Sequence, residues 1–285
     1  MKRFLVPGVY HVATRLRTTR VALFWAINVL GVIAVISWSV ASLPAFDFIV
    51  VLLVAFGAWQ SVYEIGYLEN DLITTQRERN PTLRLDAPTR ARLLRVYDAL
   101  VAGKVFVALI LVVALVLFAR WRGIELNVTT FVGSLVVLRL VYVVHNVSRN
   151  QVAIGTFALL QTAKFITMPQ LFWDPATPLA VIAVATISVP LMTLEYASLP
   201  RFELTWLQRV MEPFPTARVV YYALLSAAAA LVWVLGSSST ATVTFFVAAG
   251  LLCFRGSVWL WVSFLKPSRG RMGRGPKHPL GADDG

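Results

Sequence analysis

The sequence predicts an all-α, polytopic transmembrane helix bundle of about eight spans. Of its 285 residues, 58% are hydrophobic and only 14% are charged, whereas a soluble domain carries about a quarter charged residues. Eight apolar stretches reach or approach the roughly 20 residues that cross a bilayer core of ~30 Å. Basic residues gather between alternate stretches rather than along one surface.

The first stretch, 21–42, follows a long basic segment (1–20) and is too long for the apolar region of a signal peptide, so it reads as a retained helix. Leu43-Pro44-Ala45 leaves a tight connection to the second, 47–66, so these two form a hairpin. The polar loop 67–98 precedes the third, 99–118; then come 127–145, 152–172, 178–194, 217–236 and 241–264. The transmembrane domain therefore covers 21–265. The tail 266–285 is basic and rich in Pro and Gly, a composition too polar to bury a core, and is expected to be disordered.

Orientation follows from the excess of Lys and Arg on cytoplasmic loops. Twenty of the 26 fall in the two ends and the loops after spans two, four and six; only Arg120 and Arg122 fall opposite. Both ends are thus expected in the cytoplasm, in the inner or plasma membrane of a bacterium. The net charge of +12 is read as contact with anionic lipid headgroups, with no nucleic-acid partner. The single cysteine, Cys253, excludes a disulfide framework within the chain, and the three scattered histidines make a zinc triad unlikely.

The chemistry is sought first after span two. Glu64, Asp71 and Glu78 are seven residues apart and share one face if the helix persists towards Pro81, with Thr74 on the same face. Such a stripe suits a hard divalent cation, since magnesium takes one or two carboxylates plus water and phosphate oxygens. The alternative is a solvated helix end with ordinary ion pairs to Arg77 and Arg79.

Four cations lie within spans: Lys104, Arg139, Lys164 and Arg255. A basic group at bilayer depth costs at least ~2.5 kcal/mol, so it usually faces a partner or a wet cavity. Convergence of the four would make an anion-attracting hollow, with the carboxylates at its rim. The alternatives are snorkelling, for Lys104 and Arg139 near helix ends, and unrelated structural pairs with acids such as Asp98 or Glu195.

At this point the residues resemble those of the UbiA-type prenyltransferases. That family has nine transmembrane helices and an Asn-Asp-x-x-Asp-x-x-x-Asp motif in the cytoplasmic loop after helix two. Asn70-Asp71 matches its first two positions; Thr74 stands at the second Asp and Glu78 at the third, followed by Arg79 and Pro81. Tyr142, His145 and Arg149 loosely match the Tyr and basic residues at the family's helix-four exit. The loop after span six has Glu195 and Glu203 but no second Asp-rich motif, and a polar tail stands where a ninth helix is expected.

The resemblance implies transfer of a prenyl group from a prenyl diphosphate with Mg2+. Asp71 and Glu78 would be the catalytic, metal-holding acids, with Glu195 as a further metal ligand. Asn70, Arg79, Lys104, Arg139 and Lys164 would hold the substrate, a prenyl diphosphate or other anionic lipid. Two other functions fit the same residues: a transporter or flippase for an anionic lipid or metabolite, and a non-catalytic membrane partner.

Overall fold

The computed structural model describes residues 2–76, 83–148, 150–172, 187–236 and 239–260. The described chain is all-helical, and six of its helices are long and apolar enough to cross a membrane. The first crossing, Thr19–Val40, is built from α2 (Thr19–Trp25), a π-helical turn (Ala26–Gly31) and α3 (Val32–Val40). Inside that turn the Asn28 amide donates to the carbonyl of Phe24, at 2.6 Å. The others are α4 (Ala45–Leu72), α6 (Tyr97–Arg122), α7 (Val128–Val147), and two helices described below. All six coincide with predicted spans, to within a few residues except at the C-terminal end of α4.

Local chemistry sets the boundaries. Pro44 starts α4, with Asp47 in its first turn, where a negative charge complements the helix dipole. Gly123, at φ 66°, ends α6 in the left-handed conformation that suits glycine. Asn127 caps α7 by accepting from the Thr130 amide. The short α5 (Ala87–Arg95), in the loop before α6, is capped by Asp86.

Of the other two predicted spans, one differs and one lies mostly outside the described residues. The stretch 152–172 is not one continuous helix: α8 (Val152–Ile166) gives way to a 3-10 turn, Pro169–Phe172. At 1.5 Å per residue α8 covers only about 22 Å, so it is an apolar helix shorter than the six crossings. The Asn127 amide, at the start of α7, donates to the carbonyl of Leu171. Most of the predicted span 178–194 lies outside the described residues, as does the tail 266–285; its end appears as α9 (Val189–Ala197). After α10 (Thr205–Met211), the long helices α11 (Phe214–Gly236) and α12 (Ser239–Leu260) pair with each other.

The most buried crossing is α4, which packs against α6 on one side and α7 on the other. Its partnership with α7 is close. A Cβ on Gly66 would lie 2.3 Å from the ring of Tyr142, so only glycine admits that ring. The Asn146 amide donates to the Gly66 carbonyl at 3.1 Å beside it.

The basic N-terminal segment is part of the fold. A 3-10 turn (Lys2–Leu5) and α1 (Val9–Thr14) lie against α4 and α6, burying Phe4, Tyr10, His11 and Thr14. This segment, the C-terminal end of α4 and the loop 83–96 share one membrane face, called below the N-terminal face. The guanidinium of Arg255, near the end of α12, lies 5.5 Å from the ring of Phe24 in α2. The last described crossing therefore ends beside the start of the first. At the opposite face Arg122 forms a two-point ion pair with Asp47, tying the end of α6 to the start of α4.

Candidate functional site: a basic cavity at the N-terminal face

Glu64 and Asp71, the two described acids of the stripe predicted after span two, are paired with basic side chains. Helix α4 ends at Leu72, short of Pro81. The Thr75 hydroxyl donates to the Asp71 carbonyl and the Gln76 amide to the Leu72 carbonyl, satisfying the last carbonyls with side chains. Glu64 and Asp71 do share a face, and that face holds the N-terminal segment. Glu64 accepts from the His11 backbone N–H at 2.7 Å and pairs with Lys104, both side chains fully buried. Lys104 also donates to the carbonyl of Val6, at 3.3 Å. Asp71 takes both arms of Arg15, one of them at 3.0 Å. It also accepts from the Tyr10 hydroxyl at 2.9 Å and from Arg84 at 3.2 Å.

Behind this cluster lies a cavity of about 370 Å³. Arg15, Arg84 and Arg201 stand at its mouth with Asn70 and Thr75. Its walls are aromatic: Tyr63 and Tyr67 from α4, Tyr142 from α7, Phe157 from α8 and Tyr196 from α9. Tyr63, Tyr67 and Tyr142 meet edge to face, 5.0–6.2 Å apart, while Phe157 and Tyr196 stack in parallel at 4.0 Å. Tyr63 lies eight residues below Asp71, about 12 Å along the helix, so the cavity runs well into the bundle.

Lys164 marks its depth. The ammonium donates to the Gln161 side chain at 2.6 Å and stands 5.6 Å from the Tyr63 ring. Arg201 is stacked 4.6 Å from Tyr196 and 4.8 Å from Phe202. Among the described residues no carboxylate lies within ion-pair distance of either cation, and no carboxylate lines the cavity. Arg15 is held differently, between the Tyr67 ring at 4.1 Å and the Asp71 carboxylate.

These surroundings act on the N-terminal segment. Burial weakens the Arg15 cation, but the hydrogen bonds and charge of Asp71 outweigh it and hold its pKa above the usual guanidinium value. Burial, then the Asp71 charge, pushes the Tyr10 hydroxyl up. His11 is lowered to about 4 by burial and by the charges of Lys164 and Arg15, against the Gln60 hydrogen bond, so it is neutral near pH 7.

The predicted site residues divide accordingly. Asn70 and Lys164 line the cavity; Glu78 and Arg79 lie outside the described residues. The four intramembrane cations do not converge as expected. Lys104 is committed to Glu64, and Arg139 donates to Glu69 at 2.8 Å from the edge of an apolar groove on the other side of α4 and α7. Arg255 stacks on Phe24 and Phe254. Glu195 is held by both arms of Arg218, at 2.6 and 2.8 Å.

Magnesium was expected on Asp71, Glu78 and Glu195. The two described acids of that set are each taken by arginine, and the described residues contain no group of three or more His, Cys, Asp or Glu placed to hold a metal. The described donors therefore do not fit a carboxylate-held metal at this cavity.

Tyr142 and His145, noted in the sequence only as a loose match, both line the cavity. Arg15, Arg84 and Arg201, which are among the twenty basic residues that set the orientation, line it as well. Their signal lay in combination: an arginine four or five residues from a Tyr-His pair, and another beside Phe202 after Pro200.

Fold and site together define a multi-pass membrane protein with an aromatic-walled, cationic cavity opening at one membrane face. No family model, curated protein or solved structure matches the chain.

Proposed function

We propose that the protein takes the phosphate-bearing headgroup of a lipid, of the prenyl diphosphate class, into this cavity from the cytoplasmic side. The observation that carries the reading is the grouping of Arg15, Arg84, Lys164 and Arg201 around one hollow that no described carboxylate lines. Guanidinium groups match phosphate oxygens in two-point hydrogen bonds. The aromatic walls suit an unsaturated hydrocarbon chain and any cation formed on it. The cytoplasmic assignment rests on the basic residues of this face, which favour the inner side of a membrane.

The resemblance to UbiA-type enzymes supplies the reaction: transfer of a prenyl group. The allylic carbon–oxygen bond breaks, its electron pair leaves with the diphosphate, and an acceptor nucleophile bonds to the carbon and loses a proton. The cationic groups would stabilise the departing charge, as preorganised donors do at developing anions. A second reading, carriage of an anionic lipid across the bilayer, is favoured by the engagement of Asp71 and Glu195 with arginines. A cavity so arranged is equally suited to holding an anion without cleaving it.

One experiment separates them. The protein is reconstituted in vesicles with a labelled prenyl diphosphate and a lipid extract as acceptor. Diphosphate release with labelled lipid product supports transfer; movement of intact label across the bilayer supports carriage. Neither, compared with protein-free vesicles, would sink the proposal.

A further inference from the structure

We propose that Asp71 is a positioning residue for two arginines, and that the headgroup is held by cationic side chains without a divalent metal. The proposal rests on the lipid-phosphate reading above and deepens it. Asp71 is 3% exposed and its carboxylate oxygens accept from Arg15, Arg84 and Tyr10. A metal at this carboxylate would have to displace one or both guanidinium groups and stand beside the other charges of Arg15 and Arg84. Both arginines line the cavity and come from segments distant in sequence, the N-terminal segment and the loop after α4. Asp71 thus holds Arg15 through both of its terminal nitrogens and Arg84 through one, and leaves their remaining N–H groups available to an anion; Arg presents five donors in a fixed fork.

Lys164 and Arg201 complete the seat by a different device. Each is held by a neutral or aromatic partner, Gln161 and Tyr63 for Lys164, Tyr196 and Phe202 for Arg201. Among the described residues no acid cancels their charges locally, whereas those of Lys104, Arg139 and Arg218 are paired. A dianionic or trianionic headgroup supplies the missing counter-charge directly, and the two cations then play the part that a bridging magnesium ion plays where carboxylates line a site.

The test uses the full chain in detergent, with geranyl diphosphate and inorganic pyrophosphate as probes, in magnesium and in EDTA. The expected result is geranyl diphosphate binding that agrees within about threefold in the two buffers. Asp71→Asn is expected to weaken it about tenfold, equally in both, the loss of one charge-assisted hydrogen bond. Asp71→Glu, which keeps the charge, is expected to recover most of that loss. Arg84→Ala, at a half-exposed position, is expected to weaken binding in the same way and carries the variant test if Asp71→Asn does not fold.

Binding seen in magnesium and abolished in EDTA would overturn this inference while leaving the lipid-phosphate reading standing. Absence of binding in both buffers would overturn both. Pyrophosphate binding as tightly as geranyl diphosphate would show that the ligand is a free phosphate anion, and would overturn the lipid part.

Discussion

Glu64 and Lys104 have no exposed side-chain surface, and each is the other's counter-charge. Removing one partner of a buried pair leaves an uncompensated charge and costs about 3–5 kcal/mol, whereas replacing both by apolar groups of similar volume is often near neutral. Glu64→Leu and Lys104→Met are each expected to lower stability by that amount, and the double variant to recover most of it. Unfolding in detergent by heat or denaturant checks this. Had both single variants proved silent, the pair would not anchor the N-terminal segment. His11 adds a pH dependence. Its pKa of about 4 lies below the ordinary histidine value of 6.5, so between those values the unfolded chain binds more protons than the folded one. Stability is then fully present above pH 6.5 and is lost on acidification through that window, by roughly 3 kcal/mol at most. The thermal midpoint followed from pH 7 to pH 4 should fall, and fall less in His11→Gln. The seven-residue spacing of Glu64 and Asp71 named a shared helix face from sequence. It did not name the occupant, because Tyr10, His11 and Arg15 lie more than fifty residues earlier in the chain.

At the scale of elements, α4 joins fold to function: its buried faces pack on α6 and α7, and Tyr63, Tyr67 and Asn70 give the cavity one wall. The joint is Gly66 against Tyr142. Gly66→Ala would drive a methyl into that ring and must push Tyr142 towards the cavity. An overpacking cost of about 1–3 kcal/mol is expected, together with a cavity that binds its anion less well. Stability and ligand affinity measured on the same variant would show the two losses together; a loss of neither would mean that the helices separate without cost. The apolar runs made the six long crossings legible, because length and hydrophobicity alone identify a span. The end of α4 was not legible in the same way. The sequence allowed a helix to Pro81, while Thr75 and Gln76 instead close it at Leu72 through hydrogen bonds back to the main chain. The break after α8 falls at Pro169, a residue that can break a span, before the apolar pair Leu171-Phe172.

For the whole molecule, charge is sorted by compensation. Four acids near the N-terminal face meet arginine or lysine: Glu64 with Lys104, Glu69 with Arg139, Asp71 with Arg15 and Arg84, Glu195 with Arg218. The surplus of basic groups visible in the composition leaves Lys164 and Arg201 without an acid among the described residues, and both face the same cavity. That surplus was legible as a number and as an orientation, but its location was not, since Arg15, Arg84, Lys164 and Arg201 come from four separate stretches of chain. The most direct measurement is therefore the affinity of the purified protein for a prenyl diphosphate, compared with that of a Lys164→Met, Arg201→Ala double variant whose fold is verified by its unfolding transition. Saturable binding by the native chain, weakened about a hundredfold in the variant, is the predicted result, two charge-assisted contacts at about tenfold each. No binding by the native chain, or equal binding by both, would contradict the assignment of this cavity to a lipid phosphate.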